Sequence, residues 1–375
     1  MSAHNILQFL GTRWVNRMYL KMPEGRTAEI LPNLFVTTNQ DLIDLVIRHG
    51  GRKTIEDSGF YRLGSIPLDK SKRIYLSKSL RTLLENHLRD NGQLLTETLD
   101  RLFQNTKVQT QEIGYVITYE FFNSILSPMT DKNFRQVMHN YLHNSIVQEE
   151  CRSKKHKNQT VILETRRYLS DQFRVRTLDN AANPASIFEI CQRLELQPDQ
   201  QAEIFQRLIL SVVGFTGCTL EWGLLSLCNY GKIFPIDHYY VYEILRKYNP
   251  IWRLDRTLCS EIKFGDKIFT EGSRIIALLP AIHLSDKLWI EPENFLPDRW
   301  NISSTKKSQL FSFGFAPSPC PARAPAITFL SYALKYVNST YDLNFEKDVF
   351  AMEIYGTFRS CPRGTLHAKS RQEPH

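Results

Sequence analysis

Cys320 has the surroundings that most invite chemistry. It stands in Phe313-Gly-Phe-Ala316-Pro-Ser318-Pro-Cys320-Pro-Ala322-Arg323, a loop of small residues whose three prolines restrict the backbone. A helical pattern, about Ala322 to Val337, follows at once. A cysteine near a helix N-terminus has its thiolate favoured by the unpaired N–H groups and the helix dipole. Such a thiolate suits metal ligation. The competing reading of a single cysteine is a small, inert, buried thiol.

Two patterns precede it. Glu243-Ile-Leu-Arg246 puts an acid and an arginine three apart, on one helix face, where they can pair. Phe295-Leu-Pro-Asp-Arg299-Trp300 follows Trp289-Ile-Glu-Pro-Glu-Asn and forms a proline-punctuated, aromatic-rich stretch with one arginine. Taken singly, the first is a common ion pair of a solvated helix and the second a surface meander.

The elements that must hold these residues are mainly helical. Residues 28–67 alternate short apolar runs with turn residues, which predicts a small β-region with a helix, Asp41 to Arg48, inserted. From about Ser77 to Leu245 helical periodicity dominates. Leu80, Leu83, Leu84, His87 and Leu88 share one face, and Ile204, Leu208 and Val212 recur at fours. After Pro250 strand-like pieces return, at Ile262 to Phe264, Ile268 to Phe269 and Arg274 to Leu279. Turn signals at Gly265-Asp266 and Glu271-Gly272 separate them. The expected fold class is therefore mainly α with a minor β part, with β-rich pieces at about 28–67 and 255–300.

Composition narrows the class. The 375 residues are 42% hydrophobic and 23% charged, as in an ordinary globular protein. No linker or repeat divides them, so one domain over 1–375 is expected. Net charge is +8 and pI about 9.0, compatible with nucleic acid, an anionic surface or an acidic partner. The densest basic run, Arg152 to Lys157, has no interleaved aromatics and no nucleic-acid motif, so it reads as a solvated helix end or loop. Seven widely spaced cysteines without a C-x-x-C pair argue against a disulfide framework or structural zinc and for a reducing compartment. Met1 to Leu20 lacks the apolar core of a signal peptide, and the apolar stretch Leu208 to Leu220 reads as too short to span a bilayer. A soluble, cytoplasmic protein without a membrane anchor is the expectation.

Together the three motifs resemble the cytochrome P450 family, whose pattern runs E-x-x-R, then β-structure, then a P-E-R-F/W-like meander, then F-G-x-G-x-R-x-C-x-G. The resemblance is strong from about Tyr240 to Phe329. It implies a cytochrome P450-like fold and heme b (iron protoporphyrin IX) with Cys320 as axial thiolate, a ligand that favours O–O cleavage. It also implies a buried ion triad of Glu243, Arg246 and Arg299. Cofactor contacts would come from Arg73, Arg256, Phe313 and Ser318. Arg73 falls at the arginine of the family's H-x-x-x-R helix, with Asp69 in place of the histidine. Arg256 falls where a strand arginine meets a haem propionate, a carboxylate suited to a guanidinium fork.

The implied partners are a small-molecule substrate, of specialised-metabolite type, and a redox partner protein. The latter would be a ferredoxin or flavodoxin with its reductase, since no flavin or iron–sulfur motif lies in the chain.

Departures from the family bear on the reaction. Ser318 stands where Arg or His is usual, and Ala316 and Ala322 stand where glycines are usual. In the central helix the family motif is A-G-x-[D/E]-T-[T/S]. Anchored on Gly214, the chain reads Val-Gly214-Phe215-Thr216-Gly217, so Thr216 replaces the acid and Gly217 the alcohol. Thr216 or Thr219 is then the candidate hydroxyl, Glu221 a nearby acid, and Phe215 and Thr216 are expected on the substrate side. Three readings follow. The first is a monooxygenase using dioxygen and external electrons. The second is a haem enzyme of non-hydroxylating chemistry, such as peroxide use, oxidative coupling or nitrogen chemistry. The third is a catalytically silent binding or recruitment domain.

Overall fold

Where apolar residues recur at two-residue spacing the chain forms strands, and where they recur at three and four it forms helices. The computed structural model describes residues 22–48, 54–55, 62–63, 66–104, 107–129, 131–147, 154–177, 183–301, 310–314, 320–349, 353–355 and 358–371. Two compact units emerge, one from residues 1–59 and 242–320 and the other from 60–241 and 321–375.

The first unit is built on a five-stranded sheet, ordered Thr27–Leu31, Leu34–Thr37, Arg274–Leu278, Arg253–Leu258, Thr54–Ile55. Only the pairing of Arg274–Leu278 with Leu34–Thr37 is parallel. Its apolar face packs on Leu42, Ile43, Val46, Ile282 and Phe311, and Phe35 meets Phe269 edge-on at 4.8 Å. The expected helix at 41–48 is a short α-helix, Gln40–Ile43, that widens to a π-helix over Asp44–Arg48. Ile262–Phe264 and Lys267–Phe269 form a hairpin turning on Gly265, whose φ of 58° favours glycine. The strand expected to reach Leu279 ends at Leu278. Pro280 then sits in the first turn of the helix Leu279–His283, where a missing N–H costs nothing.

The second unit is helical. Its helices include Lys70–Asp90, Gly92–Phe103, Ile113–Leu126, Lys132–Ile146, Lys154–Val175 and Arg323–Thr340. At its centre runs Pro198–Tyr230, a continuous helix of 33 residues that contains the apolar stretch read as too short for a bilayer. By length and composition it could cross one. However, 78% of its most apolar window is buried inside the protein, as befits a core helix. Phe121, Phe122 and Phe329 cluster at ring distances of 4.8–5.4 Å.

A three-stranded sheet, Tyr341–Lys347, Gly364–Ser370 and Lys107–Gln109, also belongs to this unit. It departs from the expectation that everything outside 28–67 and 255–300 would be helical. The signal was present, because Tyr341-Asp-Leu-Asn-Phe-Glu-Lys alternates strictly.

The central helix meets Ile113–Leu126 at two glycines. A Cβ on Gly114 would overlap the Gly217 carbonyl, and a Cβ on Gly217 would lie 2.6 Å from the Tyr115 Cα and N. No side chain fits there. Gly217→Ala should therefore overpack the crossing and lower unfolding free energy by about 1–3 kcal/mol or more, measured by denaturant titration.

Candidate functional site

Glu243 and Arg246 lie one turn apart on the helix His238–Lys247, and both are fully buried. Arg246 donates from Nε to Glu243 Oε2 at 3.0 Å and from Nη2 to Oε1 at 2.7 Å. Arg299, in the 3-10 turn Pro297–Asn301, donates from Nε to Oε1 at 3.1 Å. The structure thus brings these three residues together.

Two further donors complete the carboxylate: Trp300 Nε1 to Oε2 at 3.0 Å and the Leu296 backbone N–H to Oε1 at 3.0 Å. Sequence reasoning had placed Trp300 in the meander without a role. Its position beside Arg299 was the available signal.

The remaining guanidinium N–H groups go to carbonyls. Arg246 reaches those of His283, Pro292 and Asn294, and Arg299 those of Ile290, Glu291 and Asn294. Burial draws the Arg299 pKa below its usual value, against the opposing pull of Glu243.

The same framework reaches the cysteine loop. His283 Nε2 accepts from the Phe311 N–H at 3.1 Å, so that nitrogen carries no proton, and Ser312 Oγ donates to the Leu245 carbonyl at 3.2 Å. Phe313 ends a 3-10 turn, and Gly314 follows at φ 64°. The Cys320 N–H donates back to the Phe313 carbonyl at 2.8 Å, closing the loop, and Cys320 is partly exposed. Ser318 and Ala316 lie outside the described residues.

Arg256 is half-buried on the strand Arg253–Leu258 and donates from Nη1 to the Asp255 carbonyl at 2.9 Å. Arg73 lies in the first turn of Lys70–Asp90. Asp69, read as a substituted histidine, has a local reason for being there. It is the N-cap, accepting from the Lys72 N–H at 2.8 Å, and hydrogen bonds from Ser71 and Lys72 hold its carboxyl well below the usual range.

The central helix carries Thr216 and Thr219. Leu210–Phe215, just before them, is wound as a π-helix. The Thr219 hydroxyl donates to the Phe215 carbonyl at 2.8 Å, whereas the Thr216 hydroxyl has no hydrogen-bond partner among the described residues. Gly217, the position aligned with the family alcohol, faces the Ile113–Leu126 helix and has no room for any side chain. Phe215 packs edge-on against Phe358 at 4.3 Å.

Glu221 is engaged elsewhere. Its Oε1 accepts from the Gly114 N–H at 3.0 Å, capping a helix start whose own N-cap, Glu112, makes no side-chain capping hydrogen bond, and Cys361 Sγ lies 3.6 Å from Oε2. Burial pushes its pKa up to about 8.

Residues 237–350 match the model of the family described as Cytochrome P450. Over 99% of its length the chain superposes on 99% of a mutant P450 EryK in complex with erythromycin B, with TM-score 0.73 and 14% identity. Residues 237–350 thus carry cytochrome P450 family sequence, and the chain has the cytochrome P450 fold. CYP109E1 from Bacillus megaterium, in complex with testosterone, is also similar in fold, at TM-score 0.71 and 12% identity over 95% of this chain and 98% of that one.

Among curated P450 relatives, cyclooctat-9-en-7-ol 5-monooxygenase of Streptomyces melanosporofaciens is 27% identical over 104 residues, which are 27% of this chain and 23% of that protein. The match spans less than a quarter of that relative's length.

The P450 family match of residues 237–350 implies a haem cofactor, and the residues present fit one. Among the described residues no three His, Cys, Asp or Glu side chains converge on a metal position. A single thiolate suffices for an iron whose in-plane donors belong to a porphyrin. Among the described residues Arg73 Nε is buried without a hydrogen-bond acceptor, as suits a donor meant for a carboxylate outside the chain.

Two outcomes are expected. Glu243→Ala leaves two buried guanidinium groups without their carboxylate and should cost about 3–5 kcal/mol in denaturant unfolding. For Glu221 the folded pKa of about 8 exceeds the ordinary 4.5, so the stability it contributes is complete below pH 4.5 and is lost as pH rises toward 8. Glu221→Gln keeps the acceptor for Gly114 and removes the ionisation. It should flatten this decline, whose slope approaches about 1.4 kcal/mol per pH unit, in unfolding titrations from pH 5 to 8.

Proposed function

We propose that this chain is a haem-thiolate oxidoreductase of monooxygenase type, acting on a small, specialised-metabolite-like substrate as one haem domain in the cytoplasm. The observation that supports it most is the closed Cys320 loop, which shares a framework with the saturated Glu243–Arg246–Arg299 network in the segment of family sequence. In this reading the Cys320 thiolate would hold the iron of heme b. Arg73 and Arg256 pair with its propionates, and Phe313 and Ser318 line its loop. Bound there, the haem supplies dioxygen activation, driven by electrons from a ferredoxin or flavodoxin with its reductase. The basic surface suits an acidic redoxin. Thr216 holds and passes a proton through its hydroxyl, and Thr219 fixes the helix turn beneath it.

One observation favours a second reading, haem chemistry without ordinary hydroxylation. No alcohol fits at Gly217, and no acid stands at 216. Peroxide use or oxidative coupling asks less of a positioned proton donor.

Purified protein should carry stoichiometric haem and, when reduced under CO, show the red-shifted Soret band of thiolate ligation. Cys320→Ala should lose that band together with turnover, and an unchanged spectrum would end the assignment. Turnover with peroxide alone, set against an NAD(P)H-driven redoxin system, separates the two chemistries. Coupled NAD(P)H-driven hydroxylation supports the first, and peroxide-only turnover the second.

A further inference from the structure

The central helix is interrupted once, by the π turn Leu210–Phe215. Such a turn carries an extra residue and persists where its surroundings over-determine it. The helices Ile113–Leu126 and Lys132–Ile146 pack on it, and so does one residue of the C-terminal hairpin in which Ile354–Tyr355 pairs with Arg359–Ser360.

Phe358, buried at the head of the second strand, lays its ring over Gly214. A Cβ at 214 would stand 3.0 Å from its Cζ and 3.1 Å from Leu210 Cδ1. The same ring makes the edge-on contact with Phe215.

One and two turns further along this stripe the hairpin is tied down. The Arg359 carbonyl accepts from Cys218 Sγ at 3.2 Å and from Trp222 Nε1 at 3.0 Å. The Arg359 guanidinium lies 5.5 Å from the Trp222 ring and pairs with Glu353 at 2.7 Å.

Gly214, Cys218 and Trp222 thus form one face at i, i+4, i+8, held by the hairpin. Gly217 and Glu221 form a second, held by Ile113–Leu126. Thr216 and Thr219 lie on neither.

We propose that Phe358 is a positioning residue: seated in the notch that Gly214 provides, it holds the π turn and so aims the Thr216 hydroxyl. The inference rests on the reading of Thr216 as proton carrier, but the hairpin's grip on the π turn can be tested apart from it. A smaller residue at 358 leaves the ring's place on Gly214 empty, and the π turn loses its contact with the hairpin while the flanking helices still pack on it. Glu353 and the Arg359 carbonyl then hold the hairpin without holding the turn.

Hydrogen exchange followed by mass spectrometry over residues 205–220 tests the grip. Phe358→Ala should speed exchange about tenfold across 210–216 and leave 113–126 protected, and Phe358→Tyr should restore it. Unchanged exchange at 210–216, or protection lost equally across both segments, would overturn the proposal. Should Phe358→Ala not fold, Gly214→Ala, which pushes the ring off the helix, answers the same question.

The aiming of Thr216 is read in haem-loaded protein as the ratio of product formed to reducing equivalents consumed. It should fall about tenfold in Phe358→Ala at unchanged haem content and recover in Phe358→Tyr. An unchanged ratio overturns the aiming. Protein that binds no haem overturns the proposed function instead and leaves the exchange result standing.

Discussion

The Glu243 carboxylate is the constraint on which the first unit depends. A buried charge is tolerable only when its Coulomb partners and its lone pairs are both provided for. Here Arg246, Arg299, Trp300 and the Leu296 N–H do both. Two guanidinium groups on one carboxylate leave an excess positive charge, and a ring of backbone carbonyls from His283 to Asn294 turns its dipoles toward it. A stretch with little regular secondary structure is thereby held in place, by side chains satisfying backbone that no helix or strand satisfies.

From there the order passes to the cysteine. His283 gives its carbonyl to Arg246 and its Nε2 to the Phe311 N–H, and Phe313, two residues on, receives the Cys320 N–H. One hydrogen bond, from the Cys320 N–H to the Phe313 carbonyl, ties the cysteine to that framework. The ion network and the loop are successive links of one framework.

The central helix answers a different demand. It is buried on nearly every side, so its sequence records its neighbours more than its chemistry. Gly217 is glycine because another helix backbone lies against it, and Gly214 because a phenyl ring does. Glu221, which reads from sequence as a spare acid, caps that neighbouring helix across space and is held largely protonated at neutral pH by its burial. Residue types at this helix therefore mislead when matched to a functional motif by position alone. Its π turn was not legible either, since nothing in Leu210-Ser-Val-Val-Gly-Phe215 departs from ordinary helical composition.

The sequence by itself determined the features written in local chemistry. These are the thiol in its proline loop, the acid and arginine one turn apart, the turn glycine at 265, the helical periods and the mainly helical fold class. Each depends on residues near one another along the chain, and torsional preference and side-chain period suffice to read them. Tertiary structure decided what depends on contacts between distant segments. It chose Trp300 and the Leu296 N–H as further donors to Glu243, and it left no room for an alcohol at position 217. It also separated the Thr216 hydroxyl from that of Thr219, which bonds within its own helix, and set Phe358 over Gly214. The physical reason is burial. Inside the protein a polar group's role is fixed by which partner reaches it, and a small residue's by what presses against it.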